Sequence, residues 1–377
     1  MLAAGEGAAV GALVTLLTRG KGISMILIDS HLDLSLNALN WNRDLTRTTA
    51  EIRRSERDMQ DFRRGKNTVA LPEMRQGEVA VCLATVLTHV NPEGKGYIDF
   101  RNQEIAWAMA QGQLAYYRIL EEEGQLRQLR SWSAMEAHLK QWNESQGKEC
   151  PLGYILAMEG ADPILSPAHV SWWWEQGLRV LGVCHFGSGI YSQGTGREGG
   201  LTSRGPELLK AMDKAGIVLD LTHLADHAFW EALDQYQGPV LASHNNCRAL
   251  VPGCRQFSDE QLCAIIKRDG IIGVALDIWM LYPGFAEGVT PNTVVSLEDV
   301  ANHIDHICQL AGDTQHAAIG SDLDGEFGTE QTPHDVNTIA DLQKMPAILR
   351  RRGYSEKDIE RIMHGNWLGL FQKALPP

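Results

Sequence analysis

The sequence predicts a (β/α)8 barrel, and three observations carry that expectation. Eight short aliphatic or β-branched runs recur along the chain, stretches of helical periodicity lie between them, and ligand-type polar residues gather where the runs end. The runs fall at 24–28, 79–84, 154–157, 180–184, 217–221, 240–242, 271–276 and 317–319. Apolar residues repeat at helical spacing over 103–122, 167–175, 204–214, 227–234, 259–268 and 297–311. No repeat or Pro-rich linker interrupts this alternation, so the 377 residues read as one barrel domain over 25–377, with an extension over 1–24.

Residues 8–17 form an apolar run that no basic residue precedes and no cleavage site follows, and the run is too short to span a bilayer. It reads as a start-site extension or a short helix packed on the barrel, Met25 standing just before the first strand. The C-terminal Ala374-Leu375-Pro376-Pro377 is no lipid-anchor signal, and a cytoplasmic location is expected. After strand one comes a long insertion, about 34–78, with Arg53, Arg54, Arg57, Arg63 and Arg64 interspersed among Glu51, Glu56, Asp58 and Asp61. Such mixing predicts a solvated helix face rather than a nucleic-acid surface, and a lid or dimer contact is the other use it suits. The closing segment 341–373 predicts two or three outer helices, one capped at Ser355.

Composition narrows the partners. With 34 Lys+Arg against 47 Asp+Glu the formal charge is -13, which disfavours nucleic acid and anionic membrane surfaces. Cys82, Cys150, Cys184, Cys247, Cys254, Cys263 and Cys308 show neither a CxxC pair nor a disulfide framework, and read as reduced, mostly buried thiols.

In a barrel the C-terminal strand ends converge on one mouth, where active sites form. His31 and Asp33, two apart, point the same way from strand one. Glu159 ends strand three before Gly160, and His223 and His244 follow strands five and six, supplying the imidazoles that suit zinc. Asp322 follows strand eight in the position of a proton carrier. Any one strand-end histidine is more often structural than a ligand; two carboxylates and three histidines from four strand ends favour a metal site. His89, His138, His169, His227, His303, His306, His316, His334 and His364 lie away from that set and read as structural, as Trp172-Trp173-Trp174 reads as a packing face.

Together these residues resemble the membrane (renal) dipeptidase family of amidohydrolase-like metallopeptidases, peptidase family M19, over about residues 26–371. The resemblance rests on Ile28-Asp29-Ser30-His31-Leu32-Asp33-Leu34, Glu159-Gly160, Val183-Cys184-His185 and Gly200-Leu201-Thr202, all in order. It continues through Leu219-Asp220-Leu221-Thr222-His223, Ala242-Ser243-His244, Arg255 before a helix, and Ser321-Asp322-Leu323-Asp324-Gly325. It implies a zinc dipeptidase holding two Zn2+ per chain: His31 and Asp33 on one ion, His223 and His244 on the other, Glu159 bridging. It further implies that His185 faces the scissile carbonyl oxygen, Arg255 grips the substrate's free C-terminal carboxylate, and Asp322 shuttles the proton. The mechanism expected is attack by a metal-bridging hydroxide, the metals lowering the pKa of water from about 16 toward neutrality. One departure is expected at strand seven, where Met280 stands in for a substrate-binding tyrosine of the family, with Tyr282 as a shifted substitute. A homodimer suits the family. Two alternatives remain: another amidohydrolase-type C–N hydrolase, which commonly bridges its metals through a modified Lys where this chain offers Glu159, and a non-catalytic barrel that binds ligands.

Overall fold

The structure, a computed structural model, describes residues 25–377 apart from Phe62, Lys148 and Glu149. The extension over 1–24, with the first residue of the expected strand 24–28, lies outside the described residues. Eight parallel strands follow one another: β1 (Leu27–Leu32), β2 (Val79–Leu87), β3 (Leu152–Glu159), β4 (Leu178–Gly182), β5 (Val218–Asp220), β6 (Val240–Ala242), β7 (Ile271–Val274) and β8 (Ala317–Ile319). Every residue of these strands is buried, because helices cover the outside and side chains fill the inside; this is why the strands read as near-continuous aliphatic runs.

Side chains draw the first and last strands together. Ser30 Oγ donates to the Ile319 carbonyl at 3.1 Å and to the Ser243 carbonyl across the barrel, while Ser321 N donates to Asp29 Oδ1 at 2.8 Å. The barrel centre has no space to spare. A Cβ at Gly320 would lie 1.8 Å from Ser243 O and 2.6 Å from Ser30 Oγ, so only glycine fits before the turn that carries Asp322. Near the chain's end Asn366 Nδ2 donates to Ala317 O and Trp367 Nε1 to Ile319 O, fastening the helix Asn366–Ala374 across β8. That helix and the Ser355-capped Glu356–Glu360 are among the outer helices expected for the closing segment.

Strand boundaries moved where pairing overrides local pattern. β1 starts later than expected and runs to Leu32, because Asp29 pairs with Cys82 and Leu32 with Ala84 of β2; His31 is therefore inside the strand. β3 extends to Glu159 because β2 pairs with it continuously from Val81↔Gly153 to Leu87↔Glu159. The expected helix 167–175 splits into a 3-10 turn, Pro167–His169, and a short helix, Val170–Glu175. A helix at Trp132–Ser145 and a ninth strand at Leu126–Gln128, paired with β3, were not foreseen. Among the described residues no helix is long and apolar enough to cross a membrane.

The long insertion after β1 carries helices at Leu34–Leu39, Thr49–Ser55 and Leu71–Gln76; Arg54, Arg57, Asp58 and Asp61 are exposed, as a solvated face requires, while Glu56 turns inward. Glu56 is buried and accepts from Arg43 Nε at 2.9 Å, Arg64 Nη1 at 3.0 Å and Gly65 N at 2.7 Å. The guanidiniums of Arg43, Arg63 and Arg64 lie 5.3, 5.7 and 4.8 Å from the Trp41 ring, an arrangement that favours stacking of cations on one indole face or edge. From this knot the insertion reaches the loop after β8. Thr68 N, Thr68 Oγ1 and Val69 N all donate to the buried Asp324 carboxylate, and Thr329 N donates to Lys66 O.

Glu56→Ala removes the nearest carboxylate from the buried Arg43, leaving it Asn37 Oδ1 and the more distant Asp324 at 4.0 Å, and is expected to lower stability by about 3 kcal/mol in urea unfolding at pH 7. Burial pushes the Glu56 carboxyl up, but Arg43, the Gly65 amide and Arg64 outweigh it and hold the group below its ordinary 4.5. A depressed carboxyl stabilises the fold above its unfolded pKa, so the wild-type advantage over the variant should shrink as pH falls below about 4.5 toward the folded value. A difference independent of pH between 7 and 3 would contradict this assignment.

Candidate active site

The structure brings the residues singled out in the sequence to one cavity at the C-terminal mouth of the barrel. Glu159, the last residue of β3, stands at its centre, with Gly160 behind it at φ 83° turning the chain away. Glu159 Oε2 lies 3.3 Å from His31 Nε2, and Oε1 lies 3.0 Å from His223 Nε2, 3.2 Å from His244 Nε2 and 3.7 Å from His185 Nε2. Asp33 Oδ1 and Asp322 Oδ1 stand 3.7 and 3.8 Å from His31 Nε2. Asp33 is steadied by the Thr85 hydroxyl on β2. Two of these positions have backbone in the left-handed region, His223 at φ 69° and Asp322 at φ 58°, a conformation that costs side-chain-bearing residues about 1 kcal/mol or more and collects at functional sites.

Hydrogen bonds on the far side of the rings decide what faces the centre. Thr195 Oγ1 donates to the His223 carbonyl, so at 3.0 Å it accepts from His223 Nδ1–H and leaves the Nε2 lone pair pointing inward. Ser243 Oγ holds His244 Nδ1 at 2.8 Å in the same way. The two Nε2 atoms are then 3.1 Å apart, both beside a carboxylate oxygen, and His31 Nε2 is buried with no hydrogen-bond partner in the protein. Converging lone pairs and carboxylates of this kind fit divalent cations with nitrogen and oxygen ligands.

Charge follows the same logic. Burial pushes Glu159 up, yet His31, His185, His223 and His244 hold it well below the ordinary carboxylate value. Burial, together with neighbouring cationic groups such as Arg255, keeps His223 and His244 well below the usual imidazole value, in the neutral form a metal requires. Asp322 is pushed well above its ordinary value by burial and by Glu159 and Asp33, against the pull of His31 and Arg255.

Three sets of ligand atoms lie within 4.8 Å of one another: His31, Glu159 and His244; Glu159, His185 and His223; His31, Asp33 and Asp322. Glu159 thus faces a different imidazole set with each oxygen, while the His31 and His244 rings approach to 3.6 Å across the expected division between two ions. Arg255 is buried in the wall, donating to His244 O at 2.9 Å and Asn245 Oδ1 at 3.1 Å.

The strand-seven expectation needs correcting. Met280 is fully buried at the end of the 3-10 turn Ile278–Met280, and Tyr282 is not part of the cavity wall; Trp279 is the residue facing the mouth, its ring 6.2 Å from that of Phe186. Asp277 and Glu326 also line the cavity and were not singled out, although both adjoin segments already marked as site-forming. Asp277 accepts from Trp279 N and Gln331 Nε2, and burial pushes its carboxyl up to about 7.

The other nine histidines have structural partners. His138 and His364 bond the carbonyls of Ala80 and Ile26, His316 and His334 those of Gly270 and Val295, and His303 accepts from Cys247 N. His89, His169, His227 and His306 pair with Asp99, Ser166, Glu231 and Asp259. Trp173 is fully buried, as a packing residue would be, and Trp174 carries the Arg179 guanidinium 4.3 Å from its ring. All seven cysteines are free.

An eight-stranded parallel barrel whose mouth gathers histidines and carboxylates around one shared carboxylate defines a metal-dependent hydrolase type of barrel. The profile of the membrane dipeptidase family, peptidase family M19, matches residues 23–375, and the chain belongs to that family. It is 29% identical over 205 residues to the dipeptidase tcpJ of Claviceps purpurea, an alignment covering 52% of this chain and 45% of that protein. Among solved structures it resembles a dipeptidase AC of family M19 (TM-score 0.77, 23% identity, 94% of this chain and 100% of the other). It also resembles a metallopeptidase of Rhodobacter sphaeroides solved with a phosphinate mimic of L-Ala-D-Ala (TM-score 0.75, 22% identity, 93% and 100%).

Removing the hydroxyl that orients His244, in Ser243→Ala, is expected to weaken divalent-metal binding about 10- to 100-fold with the fold intact, as read by competition with chelators of graded strength. An unchanged metal affinity would show that the hydroxyl does not orient that ring for a metal.

Proposed function

We propose that this protein is a two-zinc dipeptidase that hydrolyses the single peptide bond of dipeptides bearing a free C-terminal carboxylate. The observation that carries the reading is the Glu159 carboxylate shared among four imidazoles inside the barrel mouth. His31 and Asp33 would hold one ion and His223 and His244 the other, with Glu159 common to both. Bound zinc supplies Lewis acidity toward the scissile carbonyl and makes a water acidic enough to ionise near neutral pH. Membership of the M19 family and the dipeptidase relative support the reaction class.

The remaining residues divide the work by geometry. Asp322, whose carboxyl is held high and whose Oδ1 lies within 4 Å of the cluster, accepts the proton of the attacking water and returns it to the leaving amine. His185 has a buried Nδ1 without a protein partner and an Nε2 turned toward Glu159, so its ring is placed to contact the carbonyl oxygen as charge develops there. Arg255 is anchored by two of its N–H groups, which leaves the rest of the guanidinium fork for a carboxylate. A fixed cation at that depth sets the distance from the scissile bond to the chain end; a longer or amidated peptide leaves it buried and unpaired.

Zinc-loaded protein should hydrolyse free-acid dipeptides, tested over both C-terminal chiralities, and lose turnover on chelation; failure on the whole panel would overturn the proposal. His223→Ala should lose zinc, measured by elemental analysis, and lower kcat by about a thousandfold or more, because a ligand of the charge-stabilising centre is gone. Arg255→Ala should keep its zinc and raise KM about 10- to 100-fold for free-acid dipeptides, since a charge-assisted hydrogen bond to the chain end is removed.

A further inference from the structure

The loop after β8 carries a residue that neither metal binding nor proton transfer uses. Glu326 lines the cavity with part-buried side chain and sits at φ 67°, in the left-handed region where glycine is unstrained and glutamate is not. Its backbone is clamped there: Glu326 N–H donates to Asp324 O at 3.0 Å, and its carbonyl accepts from Arg63 Nη1 at 3.2 Å. A glutamate at this place burdens the fold twice, through backbone strain and through desolvation of a carboxylate. Burial pushes its carboxyl up against the pull of His185, Tyr97 and Arg63, and a strained, desolvated acid on a cavity wall points to a ligand.

Its position relative to Arg255 says which part of the ligand. Arg255 is held at the β6 end, where it donates to His244 O and Asn245 Oδ1, whereas Glu326 sits on the loop after β8 with its carbonyl bonded to Arg63 of the insertion after β1. The two charged side chains thus reach the cavity from different loops, and Glu159 and the imidazoles of His185, His223 and His244 line it with them. A dipeptide whose carboxylate meets Arg255 and whose peptide bond lies over the cluster directs its amino-terminal residue toward Glu326.

Building on the dipeptidase reading above, we infer that Glu326 is a specificity-determining residue that binds a positively charged group on the amino-terminal residue of the substrate. That group is an ammonium or guanidinium, supplied either by the free α-amine or by a basic side chain, and the carboxylate pairs with it by charge-assisted hydrogen bonding.

The test compares zinc-loaded wild type, E326Q and E326G on lysyl-alanine, norleucyl-alanine and alanyl-alanine, with propionyl-alanine, which has no cation, as competitive inhibitor. E326G fits the left-handed backbone, so it separates loss of the carboxylate from loss of fold. If the basic side chain is the partner, KM rises about tenfold or more for lysyl-alanine alone. If the α-amine is the partner, KM rises by that factor for all three dipeptides while the Ki of propionyl-alanine stays within about twofold. KM values within about twofold of wild type in both variants, or a Ki that rises in parallel with KM, would overturn the role of Glu326 and leave the dipeptidase reading standing. A wild-type enzyme that cleaves none of the three dipeptides would overturn both.

Discussion

Everything at the mouth of this barrel is organised by one unfavourable contact made useful. A carboxylate and four imidazoles are packed within about 4 Å in a buried site, with the Nε2 atoms of His223 and His244 facing each other at 3.1 Å. Burial alone would protonate the carboxylate and strip the rings of charge; mutual electrostatics pulls the other way, and the two leave Glu159 ionised with His223 and His244 neutral. A divalent cation relieves every repulsion at once and is the one partner that satisfies converging lone pairs and charge together. The hydroxyls of Thr195 and Ser243 matter because they fix which nitrogen of each ring meets that charge.

Such a convergence has to be imposed by the scaffold, since the ligands come from separate strands. Packing at the barrel centre, where Ser30, Ser243 and Gly320 touch, fixes the heights of β1, β6 and β8 relative to one another. Asp29 and Asp220 repeat the device higher up, each accepting backbone N–H groups from its own turn and from the neighbouring strand end. The insertion after β1 then secures the loop after β8. By closing on the Asp324 carboxylate it holds the turn in which Asp322, Asp324 and Glu326 all adopt positive φ. Strain in that turn persists because the surrounding hydrogen bonds over-determine it.

The cluster at the mouth was legible in the sequence because strand ends force its residues together. His31, Glu159, His223 and His244 each follow or end an aliphatic run, and the barrel brings such ends to one mouth whatever the details of register. Strands six and eight matched residue for residue, whereas β1 did not: its polar Asp29-Ser30-His31 looks like a loop, and only pairing with β2 makes it strand. In the insertion a charge-rich composition predicts solvation, and all of its named charges but Glu56 are exposed or half-buried; Glu56 alone turns inward, to Arg43 and Arg64, which composition does not reveal. Met280 faces the core and its neighbour Trp279 the mouth, because successive residues of a 3-10 turn point in different directions.

Side chains on the cavity wall were harder to read, and the reason separates chemistry from selectivity. Asp277 caps its 3-10 turn by accepting from Trp279 N, a task an asparagine performs without burying a charge. Its carboxylate also accepts from Gln331 Nε2, more than fifty positions away, and feels the charge of Arg255, partners that only the folded chain brings to it. Glu326 is of the same kind: nothing in the neighbouring sequence requires an acid there, and its meaning comes from the cavity it faces. Ligands held by strand ends can be inferred from local pattern because the fold dictates their convergence. Wall residues are chosen against a substrate that the sequence does not contain, so they become visible only as local costs, in backbone strain or buried charge, that the fold itself has no use for.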